Sequence, residues 1–467
     1  MKKLLTLILL LSGFAAVAQD SNSLKLSGEL MSNQRVLLDG GNWIWNEDRL
    51  TLDFEKSITG NSKFYSEVWM RNIGLPQYYS LSDLYNKNIT DPWNAEIRQA
   101  YVSVYGLLGG KMDLTIGKQI INWGTADKFN PTNNLNPYDY EDVLDFGRKR
   151  GNFALRAQYY INDNYNVDLV YEPFFRPAAL PVGAFSQLLG GSMEQMVSQL
   201  PYPVNSVSDS LILPSNKMAD TYTAGVRLKG FAAGFDYSFS YVYGYDGLPY
   251  VSSNTLNYEF DLVFNGTTMV PVYRDGSLST DLSFYRRHIL GFDLAGNLAG
   301  VGVWFEGAAY IPATDVVMTT TVNSITLAGT QTQATDSLVM EKGKPYYKYV
   351  VGADYTFNNG IYLNTQFIHG FLHERKGDLN DYLFVRMEKS FFNDKLKLAP
   401  LSGAVAVSDW NDLENSYAWA YFPQIAYMPV DNIEIDLAAG LFGGKGEGLF
   451  SSLSDFNMFI FGVKYDF

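Results

Sequence analysis

Between Phe235 and Tyr245 every second residue is aromatic. Phe235, Tyr237, Phe239, Tyr241, Tyr243 and Tyr245 alternate with Asp236, Ser238, Ser240, Val242 and Gly244. A strand sends successive side chains to opposite faces, so the aromatics share one face and mostly small or polar groups share the other. Such a strand needs an apolar medium on one side only. In a closed barrel that medium is lipid, and the tyrosines at the ends of the comb lie in the interfacial girdles. The last nine residues repeat the pattern: Phe459, Phe461, Val463, Tyr465 and Phe467 alternate with Ile460, Gly462, Lys464 and Asp466.

The chain holds no apolar run of the roughly twenty residues that a membrane helix needs. A closed barrel is the other structure that satisfies every backbone group in lipid. Aromatics are 15% of residues while mean hydropathy is only -0.10. That combination follows when lipid-facing and lumen-facing side chains cancel. The net charge of -14 excludes a nucleic-acid partner, which would need a basic surface. Without cysteine there is neither a disulfide framework nor a lipoprotein signal. Met1-Lys2-Lys3, the apolar run Leu4–Leu11 and Ala16-Val17-Ala18 read as a signal peptide for Sec-type export, removed after Ala18. Residues 19–467 then form one barrel domain in the outer membrane, surrounded by lipid and lipopolysaccharide.

Alternating segments recur to the C-terminus, separated by gaps that are long and short in turn. They count to about eighteen antiparallel strands, within a range of about 16–20. Tyr258–Phe264 and Met269–Tyr273 are the open case: a hairpin within an external loop, or two further spanning strands. A hairpin around Ile161-Asn162-Asp163 would set Arg156 opposite Asp168 and Asn152 opposite Glu172 on the lumen face. A barrel of this size encloses an aqueous channel.

Several segments exceed what a strand pattern explains. They are Gly117-Lys118-Gln119, Trp123-Gly124, Asp127, Asn130-Pro131 and Asn136-Pro137-Tyr138-Asp139, with Tyr171-Glu172-Pro173, Arg176-Pro177 and Leu180-Pro181, then Gly225-Val226-Arg227-Leu228, and Gly234 to Gly244 followed by Asp246-Gly247-Leu248-Pro249. Together they resemble a family of large porin-like outer-membrane barrels of Gram-negative bacteria, mostly uncharacterised. The resemblance implies a channel and no catalytic residues. It also implies, for some members, a partnership with inner-membrane exporters of the resistance-nodulation-division type. The chain's ending on Tyr465 and Phe467 resembles the C-terminal recognition strand of outer-membrane barrels, and that resemblance implies that the barrel-assembly machinery reads these two residues.

Turn-forming Asn, Pro and Asp dominate the stretch from Trp123 to Asp139, which reads as a folded loop at the mouth or as a cap on its neighbours. The pore-lining or mouth candidates are Gln119, Trp123, Asp127, Asn136, Asp139, Arg150, Arg156, Asp168, Glu172, Met193, Met196, Arg227, Glu306 and Arg386. Met193 and Met196 sit in an expected helix, Ser192–Leu200, opened by a capping box and stopped by Pro201. Asp139, Glu141, Asp142 and Asp145 lack the spacing of a Ca²⁺ loop, and neither a metal nor a cofactor is expected. His288, His369 and His373 belong to no nucleophile or metal motif. The reading is therefore a channel for diffusion or export of small solutes. The alternatives are a conduit for apolar or amphipathic molecules working with a periplasmic or inner-membrane partner, and an outer-membrane enzyme of lipase or protease type.

Overall fold

The computed structural model describes residues 24–75, 80–188, 197–326, 331–341, 343–377 and 379–467. The expected signal peptide, and Met193 and Met196 of the expected helix, lie outside the described residues.

Alternation of lipid-facing and lumen-facing residues builds a continuous wall. Its first half holds β1 (Lys25–Leu37), β2 (Trp43–Thr59), β3 (Ser62–Ile73), β4 (Trp93–Gly106), β5 (Met112–Gln119), β6 (Asn152–Asn162) and β7 (Tyr165–Glu172). After β8 (Ser206–Leu211), which stands outside it, the wall continues through β9 (Thr223–Ala232) and β10 (Phe235–Tyr245). The strands β11 (Tyr250–Phe264) and β12 (Met269–Ser283) again leave it, and β13 (Arg286–Leu298) and β14 (Val301–Pro312) rejoin. Beyond β15 (Val316–Thr326) and β16 (Gln331–Glu341) come β17 (Tyr346–Thr356), β18 (Ile361–His369), β19 (Asp381–Phe391) and β20 (Leu396–Val407). The wall ends with β21 (Tyr417–Tyr421), β22 (Gln424–Val430), β23 (Ile433–Gly444) and β24 (Met458–Asp466).

Each wall strand pairs antiparallel with the next, and β24 pairs with β1, so no edge is left open. The pairing sets Leu30 against Tyr465. Phe467 extends the seam by exchanging both backbone hydrogen bonds with Gly28, at 3.0 and 2.9 Å. Nineteen strands make the sheet, but β21 and β22 are halves of one, so the barrel has eighteen staves. The break falls at Phe422-Pro423, where proline has no N–H for the ladder.

Turns at the end that carries the termini are tight. Ala233-Gly234 and Ala299-Gly300 both take positive φ at two successive residues, matching the twist of the strands they join. The opposite end carries the long connections. There β8, β11, β12, β15 and β16 form a second sheet in the order β16-β15-β11-β12-β8, unpaired with the wall. Tyr258–Phe264 and Met269–Tyr273 belong to its central hairpin and do not span. Val197 and Leu200, the described end of the expected Ser192–Leu200 helix, pack on Leu256, Tyr258 and Leu278 of this sheet.

One expected register is corrected. The β6–β7 turn is Asp163-Asn164, and a bulge between Tyr160 and Asn162 shifts the pairing, so Arg156 lies opposite Val170 and Gln158 opposite Asp168. Arg156 nonetheless reaches Asp168 along the diagonal, at 2.8 Å. The diagonal neighbour is within reach of a side chain as long as arginine.

The outward face is apolar, as lipid requires. Phe239 is 54% exposed while Ser240 beside it is 9% exposed, and Leu437 and Val405 alternate in the same way with inward Ala438 and Ala404. Leu437→Arg should therefore cost about 2–4 kcal/mol near the midplane, whereas Ala438→Arg points into the lumen and should cost little. Urea midpoints for folding into vesicles measure both, and equal losses would reverse the faces. Deleting Phe467 removes two hydrogen bonds from the closing seam. The folded, heat-modifiable fraction on gels should fall; an unchanged fraction would show that closure does not need this residue.

Candidate functional site

Inside the wall, residues 120–151 fold down into the lumen rather than out over the rim. The loop begins where Asn136 ties its two arms together: its Oδ1 accepts from Ile121 N at 2.6 Å and its Nδ2 donates to Gln119 O at 2.9 Å. Gln119 in turn donates to Ala154 O on β6 at 3.0 Å. The expected mouth residues Gln119 and Asn136 thus act as a clasp at the root of the loop.

The tip is held by Glu306, which projects inward from β14 and is fully buried. Its Oε2 accepts from Thr125 N, Ala126 N and Asn130 Nδ2 at 2.9, 3.0 and 3.1 Å. Its Oε1 accepts from Thr132 N and Oγ1 at 2.8 and 2.7 Å. A buried carboxylate is tolerable only with such a complement of donors. Gly124 makes the approach possible. Its φ is +100°, and a Cβ there would stand 2.5 Å from Glu306 Oε1.

Trp123 anchors the next contact. It is 1% exposed and donates from Nε1 to Asp168 Oδ2 at 3.1 Å. Asp168 also binds Arg156 and, at 3.4 Å, Arg227, whose guanidinium lies 5.2 Å from the Trp123 ring centroid. A side chain at Gly225 would meet Trp123 and Leu135 at 2.9 Å, so this wall glycine is the seat of the tryptophan. Glu172, buried at the end of β7, accepts from Asn152 at 3.0 Å. Tyr310 of β14 donates to Pro131 O at 2.6 Å.

The returning arm is fastened by charge. Arg35 of β1 makes a two-pronged pair with Asp142, at 2.7 and 2.5 Å. Arg98 of β4 binds Asp139 at 2.9 Å, and Arg71 of β3 binds Glu141 at 2.5 Å. Arg148 binds Asp139 at 3.0 Å and Asp145 at 3.5 Å. Arg49, Arg71, Arg98 and Arg148 all lie within 5.8 Å of the Trp69 ring. The four acids weighed as a cation site are therefore matched to arginines. Burial alone would raise the Asp139 and Asp142 carboxyls, but Arg148 and Arg98 hold the first, and Arg35 the second, below the ordinary carboxylate range. Lys149 donates to the carbonyls of Asn133 and Asn136 over the Tyr138 ring, and burial pushes its ammonium well down. Arg150 is half-buried at the loop's end, its backbone N–H on Pro137 O.

Neighbouring loops lock the plug from above. Ala179 N donates to Tyr138 O and Tyr140 N to Ala179 O. Asp246 receives Arg287 at 2.9 Å and Arg375 at 3.0 Å. These contacts absorb most of the motifs that the strand pattern left over.

The loop fills one side of the lumen only. Beside β1, β2, β18–β20 and β22–β24 it leaves a chamber of about 760 Å³. Asp127 and Arg386, both expected pore residues, line it. Phe129 of the loop closes one side, its ring 4.5 Å from that of Phe384 and 5.2 Å from Phe371. The sequence reading missed this aromatic wall and the arginines Arg35, Arg71 and Arg98. Their strands alternate as any barrel strand does, so only the burial of a charge could have marked them. At the rim His369 meets Asp381 at 2.7 Å and stacks on Tyr349, and among the described residues no hydroxyl is bonded to it.

No curated protein matches the chain. Among solved structures it is similar to Salmonella typhi OmpF in complex with daunomycin, at 11% identity over 97% of this chain and 99% of that one, with a TM-score of 0.40. It is also similar to Pseudomonas aeruginosa OccK11 (OpdR), at 9% identity over 95% of each chain and a TM-score of 0.46. A Rhodopseudomonas blastica porin mutant gives 10% identity over 95% of this chain and 100% of that one, with a TM-score of 0.40. Residues 78–467 match the family described as "Protein of unknown function (DUF1302)", and the chain belongs to that family.

Proposed function

We propose that this protein is an outer-membrane channel for small solutes, with residues 120–151 as its internal constriction. One observation carries the reading: a lipid-facing barrel whose lumen is filled on one side and left as a chamber on the other. A purely structural barrel of this width has no need to build a loop inward and fasten it to β1, β3, β4, β7 and β14. Insertion by the barrel-assembly machinery and a surround of lipopolysaccharide belong to the same proposal. The aromatic side of the chamber favours a second reading, a conduit for amphipathic molecules that works with a periplasmic or inner-membrane partner. Neither reading assigns catalysis to any residue.

Planar-bilayer conductance tests the channel. Glu306→Ala leaves five donors without their acceptor, each orphaned bond costing about 1–3 kcal/mol. The loop should loosen, and mean conductance and current noise should both rise while the barrel stays heat-modifiable. Wild-type conductance in a folded Glu306→Ala barrel would remove the loop as the constriction.

Acid should loosen the loop too. Asp139 and Asp142 titrate lower in the closed loop than in a released one. Their contribution to closure is complete above the ordinary carboxylate value of about 4 and is lost as pH falls through the depressed values. Conductance should hold steady near neutrality and climb below about pH 4. A current that falls on acidification would contradict the sign.

A further inference from the structure

The geometry points to the luminal chamber as a binding site for a small amphipathic organic cation, its apolar body on the phenylalanine wall and its ammonium at Asp127 and Gln366. The inference deepens the channel reading and rests on it, since it names the class of solute the chamber holds.

Size comes first. About 760 Å³ falls within the range of roughly 300–1,000 Å³ typical of small-molecule sites. The lining is two-faced in the manner of such sites. On one side stand Phe129, Phe146, Phe384 and Phe422, three of them joined through Phe129 by ring contacts of 4.5 and 5.8 Å. Phe384 and Phe422 reach the chamber from the wall, and Phe129 and Phe146 reach it from the loop. They supply an apolar surface and π-faces that attract cations.

The charges set the sign. Every chamber cation already has a carboxylate within 4.0 Å: Arg35 has Asp142, Arg49 has Glu29 and Glu47, Arg386 has Glu388, Lys464 has Glu29, and Lys128 and Arg148 share Asp145. Two chamber acids have no such partner among the described residues. Asp127 accepts from the Asn364 amide at 3.0 Å; Asp436 accepts from the Gln424 amide at 2.9 Å and also hydrogen-bonds the Glu434 carboxyl, so Asp127 is the acid held by an amide alone. The unmatched charge in the chamber is therefore negative.

An independent observation concerns Gln366. It lines the chamber, is 6% exposed, and its Oε1 has no hydrogen-bond donor. An orphaned acceptor at a buried position is costly unless a donor arrives. In the β18–β19 ladder Gln366 lies directly opposite Phe384, and Asn364, which holds Asp127, is the next inward residue on the same strand. Donor-seeking oxygens and aromatic rings are thus adjacent. An ammonium bonded to Asp127 and Gln366 would lay its hydrocarbon against Phe384 and Phe129.

Equilibrium binding to the full barrel in lipid nanodiscs tests the site with 4-phenylbutylammonium, 4-phenylbutyrate and tetramethylammonium as probes. The phenylbutylammonium should bind saturably, and both comparison ions should bind at least about tenfold more weakly, the difference expected of one charge-assisted contact or one buried ring. Asp127→Asn and Phe384→Leu should each weaken phenylbutylammonium by about tenfold, while Asp209→Asn on the outer sheet should not. Heat-modifiability confirms that each variant is folded. Equal affinity for the carboxylate, or unchanged affinity in Asp127→Asn, would overturn the proposal. Bilayer current, recorded separately, keeps the two readings apart: current without binding removes this site and leaves the channel, and binding without current does the reverse.

Discussion

The inner architecture depends on one carboxylate. Glu306 comes from a wall strand whose inward positions otherwise carry small or aromatic groups, and it organises five donors from a segment nearly two hundred residues earlier in the chain. Without those donors a carboxylate this deeply buried would be strongly disfavoured; without the carboxylate, three backbone amides of the loop tip would be orphaned. The dependence runs both ways, so the loop and the wall specify one another. The glycines follow from it. Gly124 lets the loop backbone reach the carboxylate, and Gly225 on β9, three strands along the wall, clears space for Trp123. A methyl at Gly291 would stand 2.4 Å from Ser240 Oγ and 2.7 Å from Thr132, so this sector of wall also stays bare where the loop rests.

The barrel itself was legible in the sequence because lipid imposes a period that survives averaging. The comb from Phe235 to Tyr245 and the terminal strand state their faces residue by residue, and both point as the alternation requires. The turn at Asp163-Asn164 was misplaced because a bulge adds a residue without disturbing the hydrophobic pattern on either side. Bulges leave little trace in a single sequence. The outer sheet was half visible: Tyr258–Phe264 and Met269–Tyr273 read as a hairpin, but its parallel joints to β8 and β15 join residues far apart in sequence.

The loop was visible as a cluster of unexplained motifs, yet not as an object inside the barrel. Composition says that Asn, Pro and Asp will turn the chain; it does not say which way the turned chain points. Direction is set by the partners, and those are dispersed. Arg35, Arg71 and Arg98 sit on three different strands, and each resembles an ordinary lumen charge until Asp142, Glu141 and Asp139 are placed beside it. Glu306 and Arg227 were picked out as lumen-facing candidates, which gave their face and not their role.

The two arms of the loop are held by different physics, and this shapes what the lumen can do. The outgoing arm is held by neutral donors on one buried carboxylate and by apolar packing around Trp123 and Leu135, interactions that salt hardly screens. The returning arm is held by ion pairs stacked around Trp69 and, for Arg35–Asp142, beside Trp45, many of them nearly buried. Fixing both arms removes the freedom that would let the loop swing as a simple flap, because release on one side leaves the other still fastened. On the channel reading proposed above, a solute would meet a chamber whose shape is largely set in advance, with aromatic rings and the Asp127 carboxylate already in place. Discrimination in such a lumen would come from chemical fit to fixed walls, not only from the width of the opening.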